Sequence, residues 1–144
     1  MKPPETAFAD YLTARSLKMT PQRRLILSTF IDAAGHLSSE ELYNHVKIKD
    51  PAVGQATVYR TLKLFLDSGI AEAVDFGDGL VRYELRYGQD HHDHLICEQC
   101  GKNIEIVEPT IERLQEELAR SYNFTLRRHK MYLFGLCPDC RKKS

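Results

Sequence analysis

The densest group of chemically capable side chains lies between His91 and Cys100, in the run H-H-D-H-L-I-C-E-Q-C. Its histidines and aspartate offer imidazole nitrogens and carboxylate oxygens, which bind divalent transition metals. Cys97 and Cys100 form a C-x-x-C pair, and a second pair consists of Cys137 and Cys140. Two such pairs supply the four thiolates of a tetrahedral structural zinc site. We therefore predict structural zinc at the cysteines and a second class of metal site, with nitrogen and oxygen ligands, at the histidines.

An extended backbone would divide these histidines between two sites. Successive side chains of a strand point to opposite faces, so His91 and Asp93 would lie on one face and His92 and His94 on the other. Each group needs further ligands from elsewhere in the chain. Exposed histidines are often mere polar surface, but three of them with an aspartate beside a zinc-type cysteine pair favour metal binding.

Composition indicates a folded protein of ordinary type. The chain has 144 residues, 42% of them hydrophobic and 28% charged, which makes disorder a poor interpretation. No apolar run approaches the ~20 residues that cross a bilayer, and the N-terminus lacks the apolar core of a signal peptide. We expect a cytoplasmic protein with no membrane partner. Thiols stay reduced in that compartment, which favours zinc over disulfides or a redox C-x-x-C pair.

The elements that position these side chains begin with helices. Hydrophobic periodicity and capping signals predict helices up to about residue 70. The signals are the cap at Thr20–Pro21, the capping box of Ser38 with Glu41, and a helix from about Gln55 to Ser68 with Gly69 as its C-cap.

A change of period follows these helices. Ala71–Phe76 and Leu80–Leu85 are strand-like and flank Gly77-Asp78-Gly79, a strong hairpin signal. Helices followed by a two-stranded hairpin predict a winged helix-turn-helix. The alternative left open by the pattern is a helical bundle with an isolated hairpin.

One helix face favours DNA binding over a merely solvated surface. The 20 basic residues equal the 20 acidic ones, so net charge leaves the question undecided. The helix predicted from about Gln55 to Ser68, however, presents polar, aromatic and basic groups with no acid before Asp67. Such groups reach base edges and phosphates in a major groove. These groups are Gln55, Thr57, Tyr59, Arg60 and Lys63. Lys18, Arg23 and Arg24, around the start of an earlier helix, are candidates for phosphate contacts.

From Gly88 onward the pattern predicts a second α/β unit. Its strands are predicted at His91–Ile96, Asn103–Val107 and Thr125–Leu136, with a helix that begins at Pro109. A unit of ~55 residues is too small to be stable without metal or a partner. The last strand is apolar on both faces, which suits dimerisation, so we expect both kinds of support.

Four motifs together resemble the ferric uptake regulator family of bacterial metalloregulators. They are T-P-Q-R-R at 20–24, A-T-V-Y-R-T-L at 56–62, H-H-D-H-L-I-C-E-Q-C-G at 91–101 and the final C-P-D-C. The resemblance covers nearly the whole length, with the motifs in family order. It implies an α+β fold, with a winged helix-turn-helix DNA-binding domain at 1–85, a hinge at 86–90, and a small α/β dimerisation domain with structural zinc at 91–144.

The resemblance also implies a set of site residues. A regulatory metal site at the hinge would use His36, Glu84, His92, His94 and Glu105. An additional site would use His91, Asp93, Glu112 and His129. The structural zinc would be held by Cys97, Cys100, Cys137 and Cys140. DNA contacts are expected at Lys18, Arg23, Gln55, Thr57, Tyr59 and Arg60.

Ligand type indicates the regulatory metal. A site of histidines and carboxylates without thiolate suits Fe(II) or Mn(II) better than zinc, which soft sulfur would favour. All four cysteines are already assigned, and Glu84 and Glu105 stand where peroxide-sensing members typically have aspartates. Fe(II) is therefore the expected corepressor, with Mn(II) or Zn(II) as substitutes.

The sequence thus predicts a transcriptional repressor of iron-homeostasis genes that binds operator double-stranded DNA as a homodimer, with a tetramer left open. The alternative within the family is a manganese- or peroxide-responsive regulator. Two other classes compete with it. One is a metalloenzyme with His92, His94 and Glu105 as a facial triad, for which no general base or substrate pocket is readable. The other is a zinc-stapled module that binds protein.

Overall fold

The structure is a computed structural model that describes residues 1–143. The chain forms two compact units, Met1–Asp90 and a second one that begins at His91. Among the described residues, no helix combines the length and apolar character needed to cross a membrane.

The first unit consists of four helices and a hairpin. Its elements are α1 (Pro4–Ala14), α2 (Pro21–Ala33), α3 (Ser39–Lys49), α4 (Gln55–Ser68), β1 (Ala71–Asp75) and β2 (Val81–Leu85). The predicted caps are confirmed. Thr20 accepts a hydrogen bond from the Arg23 N–H, both halves of the capping box at Ser38 and Glu41 are present, and Gly69 adopts the left-handed conformation that ends α4.

The core of the first unit centres on Phe65 of α4. Its ring centroid lies 5.0 Å from that of Phe8 and 5.6 Å from that of Phe30, and all three side chains are buried. On α2 the buried side chains are Ile26, Leu27, Thr29 and Phe30. Leu25 and Ile31 of the same helix pack only at the edge of this core.

The hairpin is antiparallel, with Ala71 opposite Leu85 and Asp75 opposite Val81. Each strand is one residue shorter than predicted at the turn, because the Asp75 and Asp78 carboxylates accept the N–H groups of Gly77 and Leu80 there.

A short bridge adds a third backbone to this hairpin. The Leu37 N–H donates to the Tyr83 carbonyl over 3.0 Å, and the Tyr83 N–H donates to the Leu37 carbonyl over 2.7 Å. The loop after α2 is thereby fastened to β2. Helices α2 to α4 with this hairpin make a winged helix-turn-helix.

The second unit is a three-stranded sheet with two helices. Its elements are β3 (Asp93–Cys97), β4 (Asn103–Ile106), α5 (Pro109–Ser121), β5 (Tyr132–Gly135) and α6 (Pro138–Lys143). The strand order is β4-β3-β5, in which β3 pairs antiparallel with β4 and parallel with β5.

The strands and helices of this unit differ from the predictions in several places. Strand β3 begins at Asp93 rather than His91, β4 ends before Val107, and α6 was not predicted. Only Tyr132–Gly135 of the predicted strand Thr125–Leu136 is a strand. The residues before it are irregular because the buried Asp93 carboxylate accepts the Met131 N–H and His129 turns toward the same carboxylate.

Candidate metal centres and nucleic-acid interface

The four cysteines meet in one cluster. Their sulfur atoms lie within 4.8 Å of one another, and Cys100 Sγ is 3.8 Å from Cys137 Sγ. Cys97 ends β3, Cys100 stands in the following turn, and Cys140 lies in α6, the helix that follows β5. The parallel pairing of β3 with β5 is therefore what brings the two C-x-x-C pairs together.

Backbone N–H groups stabilise the thiolate form of one of these cysteines. The N–H groups of Cys100 and Cys137 donate toward the Cys97 sulfur and lower its pKa, because they stabilise the thiolate. The Cys140 thiol has a raised pKa because its proton is shared with the Cys137 sulfur. All four thiols are free. Four thiols within 4.8 Å of one another, two of which accept backbone N–H groups, fit structural zinc, which binds cysteines as thiolates and would displace the shared protons.

A second cluster gathers His91, Asp93, Glu112 and His129, with ligand atoms within 4.8 Å of one another. The Glu112 carboxylate, on the first turn of α5, lies 3.3 Å from His91 Nε2 and 3.2 Å from His129 Nε2. Asp93 is 2% exposed and lies 3.7 Å from His129 Nε2. Two imidazoles facing two carboxylates form a donor set for a divalent cation without sulfur.

A third group lies on the opposite side of β3. His94 is buried and its partner across the β3–β4 ladder is Glu105, while His92 Nε2 lies 3.7 Å from a Glu105 carboxylate oxygen. The imidazole rings of His92 and His94 are 5.0 Å apart. The histidines are thus divided as alternation predicted, although His91 and His92 precede the strand. This group supplies two nitrogens and a carboxylate.

The first unit contains a separate histidine–carboxylate pair. His36 Nε2 lies 2.7 Å from a Glu84 carboxylate oxygen, and both side chains are largely buried. The Leu37–Tyr83 bridge produces this contact, because His36 precedes Leu37 and Glu84 follows Tyr83. We call His36 with Glu84 the first half-site, and His92, His94 and Glu105 the second half-site.

The predicted DNA-reading residues lie on or before helices of the first unit. Gln55, Tyr59 and Arg60 are exposed on α4, and Thr57 is half-buried. The Tyr59 ring carries the Lys63 ammonium 5.1 Å from its centroid. Lys18 is exposed in the loop before α2, whose shape is held by an Arg23 guanidinium that donates to the Lys18 carbonyl over 2.6 Å.

Sequence reasoning missed one residue beside the first half-site. The Phe76 ring packs edge-to-face on the His36 ring with centroids 5.1 Å apart. A single aromatic residue at a strand end carries no signal of such a role.

A winged helix with an exposed basic and aromatic reading helix, followed by a unit with thiolate and imidazole–carboxylate clusters, defines a class of protein. That class is the metal-dependent DNA-binding regulators.

Comparisons with known proteins specify the family. The ferric uptake regulator family profile matches residues 14–134. The ferric uptake regulation protein of Campylobacter jejuni is 41% identical over 139 residues, which cover 95% of this chain and 88% of that protein. The chain therefore belongs to the ferric uptake regulator family.

Solved structures agree with this assignment. The ferric uptake regulator of Helicobacter pylori, described as having three functional metal-binding sites, superposes with a TM-score of 0.83 at 30% identity and covers 97% of this chain and 95% of its own. A zinc-bound manganese uptake regulator superposes with a TM-score of 0.65 at 42% identity and covers 91% and 98%. The fold is that of the family, a winged-helix DNA-binding domain followed by an α/β dimerisation domain. Its members are metal-responsive transcription regulators that act as dimers on DNA, rather than enzymes.

Proposed function

We propose that this chain is a cytoplasmic repressor that binds operator DNA as a homodimer when Fe(II) links its two half-sites. The observation that carries the proposal is the division of donors between the units. The first half-site belongs to the unit that carries the reading helix, and the second belongs to the unit with the cysteine cluster. A ligand set divided in this way serves a switch better than it serves a static structural site.

The donor chemistry supports iron over zinc. The two half-sites together offer three imidazoles and two carboxylates and no thiolate, which suits Fe(II) or Mn(II). One of the similar solved structures is a manganese uptake regulator, so manganese is the competing corepressor. Glutamates at 84 and 105 are the residues that set this site apart from the aspartates typical of peroxide-sensing members.

The switch follows from the charges of the ligands. A bound divalent cation supplies positive charge and a fixed coordination geometry. Without it, Glu84 and Glu105 repel each other in the closed arrangement, and the winged-helix unit is free to turn about residues 86–90. When the metal joins the first and second half-sites, the two reading helices of a dimer are held at a fixed spacing. The two halves of an operator require such a spacing.

Apolar surface on the second unit supports dimerisation. Leu95, Ile104 and Leu133 stand opposite one another across the three strands and are each more than two-fifths exposed. On α5, Leu114 and Leu118 are 51% and 62% exposed. A unit of this size that leaves an apolar sheet row and helix face uncovered is completed by a partner. We propose a second copy of this chain as that partner.

The other metal clusters have separate roles in this proposal. The four cysteines hold structural zinc that staples the second unit. The cluster of His91, Asp93, Glu112 and His129 is an additional divalent-cation site that ties α5 to the sheet, since Glu112 belongs to the helix and Asp93 to β3.

Equilibrium DNA binding tests the function. A duplex selected from a random library by the wild-type protein in Mn(II) serves as probe, with Fe(II) titrated under anaerobic conditions. A metal that favours the closed state by ~2–3 kcal/mol raises DNA affinity about 30- to 150-fold. Equal affinity with and without either metal would refute the proposal. A response to Mn(II) at concentrations where Fe(II) has no effect would make manganese the corepressor.

A further inference from the structure

Phe76 stands between the first half-site and the turn of the hairpin. One side of the ring meets the His36 imidazole edge-to-face, at an interplanar angle of 81° and a centroid separation of 5.1 Å. The ring also carries the Arg82 guanidinium, 5.3 Å from its centroid. One half-buried side chain therefore contacts both a proposed metal ligand and a cation of the wing.

Arg82 in turn holds the tip of the wing. Its guanidinium donates two hydrogen bonds to the Asp78 carboxylate, over 3.2 Å and 2.8 Å. This fork lowers the pKa of Asp78 and raises the pKa of Arg82. Asp78 also accepts the Leu80 N–H, so its position fixes the path of the turn. The contacts run without a gap from His36 through Phe76 and Arg82 to Asp78.

We propose that Phe76 is a positioning residue that couples occupancy of the first half-site to the conformation of the β1–β2 turn. This proposal rests on the proposed function, since it assumes that His36 ligates the regulatory cation. It assigns to the wing a direct response to the metal, besides the turning of the whole unit about the hinge.

The coupling follows from how each side chain is constrained. Without the metal, the His36 ring packs against Phe76, and its Nε2 lies 2.7 Å from a Glu84 carboxylate oxygen. As a ligand, the same ring must aim a nitrogen lone pair at the cation, which restricts its orientation. The edge-to-face contact transmits that orientation to Phe76, because an aromatic pair is weakened when one ring turns out of a preferred geometry. The Phe76 face then determines where the Arg82 guanidinium rests, and the Asp78 fork follows it.

Removing the aromatic ring tests this coupling. Phe76→Leu keeps apolar bulk but deletes both ring contacts, and Phe76→Tyr keeps the ring as the matched control. With the full chain at saturating Mn(II), we expect Phe76→Leu to bind the selected duplex about 3- to 10-fold more weakly than wild type, the range expected for loss of an aromatic pair. Metal-free DNA affinity should be unchanged within about 2-fold, because the coupling contributes only when the metal is bound. Phe76→Tyr should keep the Mn(II) response of the wild type.

Hydrogen exchange of residues 75–81, measured without DNA, gives a second readout. In the wild type and Phe76→Tyr, Mn(II) should slow exchange of these amides. In Phe76→Leu, Mn(II) should leave their exchange unchanged while the rest of the first unit keeps its protection, which also verifies that the variant is folded.

Several results would overturn the coupling. Equal losses of DNA affinity with and without Mn(II) would make Phe76 a structural residue of the wing. A loss that disappears at saturating Mn(II) would place its effect on metal binding alone. Identical Mn(II) protection of the turn in wild type and Phe76→Leu would exclude the relay. If DNA binding of the wild type proves independent of metal, the proposed function fails. The exchange experiment then still decides whether Phe76 links the half-site to the turn.

Discussion

Ala34, two residues before His36, holds a backbone conformation that a Cβ atom opposes. Its φ is 46° with ψ at 153°, and Gly35 follows at φ 87°. Such values at a residue other than glycine cost of order 1–3 kcal/mol and persist only where surrounding structure enforces them. Here the Leu37–Tyr83 bridge enforces them, because it holds the loop against β2. The position of the first half-site therefore depends on a strained backbone at Ala34.

Replacing Ala34 by glycine should release that strain. We expect Ala34→Gly to raise the free energy of unfolding of the first unit by about 1 kcal/mol, since the relief exceeds the ~0.5–1 kcal/mol of extra chain entropy that glycine loses on folding. Urea unfolding followed by far-UV circular dichroism measures the change. Ala33→Gly, at the end of α2, is the matched control and should destabilise. If both variants destabilise equally, Ala34 is not strained.

The cysteine cluster permits a sharper single-residue prediction. Cys97→Ser replaces a buried thiolate whose pKa is already low with a hydroxyl, a poor zinc ligand. We expect the variant to lose its zinc and to unfold the second unit while the first stays folded, because metal binding energy is folding energy in so small a unit. Released zinc is measured by a chromogenic chelator, and folding by hydrogen exchange of each unit.

His92→Ala is the control for that experiment. It removes a proposed ligand of the second half-site, and we expect the variant to keep its zinc and its fold while losing the metal dependence of DNA binding. Loss of zinc from His92→Ala, or full zinc in Cys97→Ser, would contradict the division of ligands between the sites.

At the scale of elements, the capping box of α3 connects local sequence to the position of the first half-site. Ser38 accepts the Glu41 N–H over 3.1 Å, and the Glu41 carboxylate accepts the Ser38 N–H over 3.1 Å. These bonds start α3 directly after the loop that carries His36. We expect Ser38→Ala to lower the free energy of unfolding of the first unit by about 1 kcal/mol.

Ser39→Ala is the matched control, because Ser39 is the first helical residue and alanine is favoured there. Thermal unfolding of both variants measures the difference. Equal melting temperatures for the two variants would show that the capping box contributes nothing measurable.

Elements with local signals were predictable, and elements that depend on distant partners were not. The caps at Thr20, Ser38 and Gly69 involve neighbours within a few residues, so the sequence revealed them. The first part of the predicted strand Thr125–Leu136 is not a strand, because the Met131 N–H donates to the Asp93 carboxylate, 38 positions away, rather than to a neighbouring strand. The Leu37–Tyr83 bridge has no periodic signature at all.

The candidate sites divide in the same way. Cysteine spacing indicated zinc, and alternation along His91–His94 divided the histidines correctly even though β3 begins at Asp93. His36 and Glu84 came only from the family resemblance, since nothing local to either residue pairs them. Phe76 escaped both routes because its partners meet it through the fold of the hairpin.

At the scale of the whole molecule, the second unit has too little interior to stand alone. Within the described chain, α5 buries none of its residues, and Tyr122 and Phe124 beyond it are 71% and 73% exposed. The buried hydrophobic residues of the second unit are Ile96, Cys97 and Cys140. Zinc can hold one end of the unit, but the apolar helix face and sheet row require cover from another chain.

Charges placed on that apolar surface should therefore dissociate the dimer. We expect Leu118→Asp and Leu133→Asp each to convert the zinc-loaded protein from dimer to monomer at micromolar concentration, because a buried unpaired carboxylate costs several kcal/mol per subunit. Sedimentation velocity measures the molecular mass directly. Ile48→Asp, on α3 of the first unit, is the matched control, since Ile48 is 80% exposed and lies outside the proposed interface.

The same variants test whether repression depends on the dimer. A monomer presents one reading helix, so its affinity for a duplex with two operator half-sites should fall to its affinity for a single operator half-site. Mn(II) binding by the Leu118→Asp monomer should persist. Dimers in all three variants would place the partner surface elsewhere, and dissociation of Ile48→Asp alone would place it on α3. If Leu118→Asp is monomeric yet binds a duplex with both operator half-sites as tightly as wild type, DNA itself assembles the dimer, and the apolar surface contributes nothing to repression.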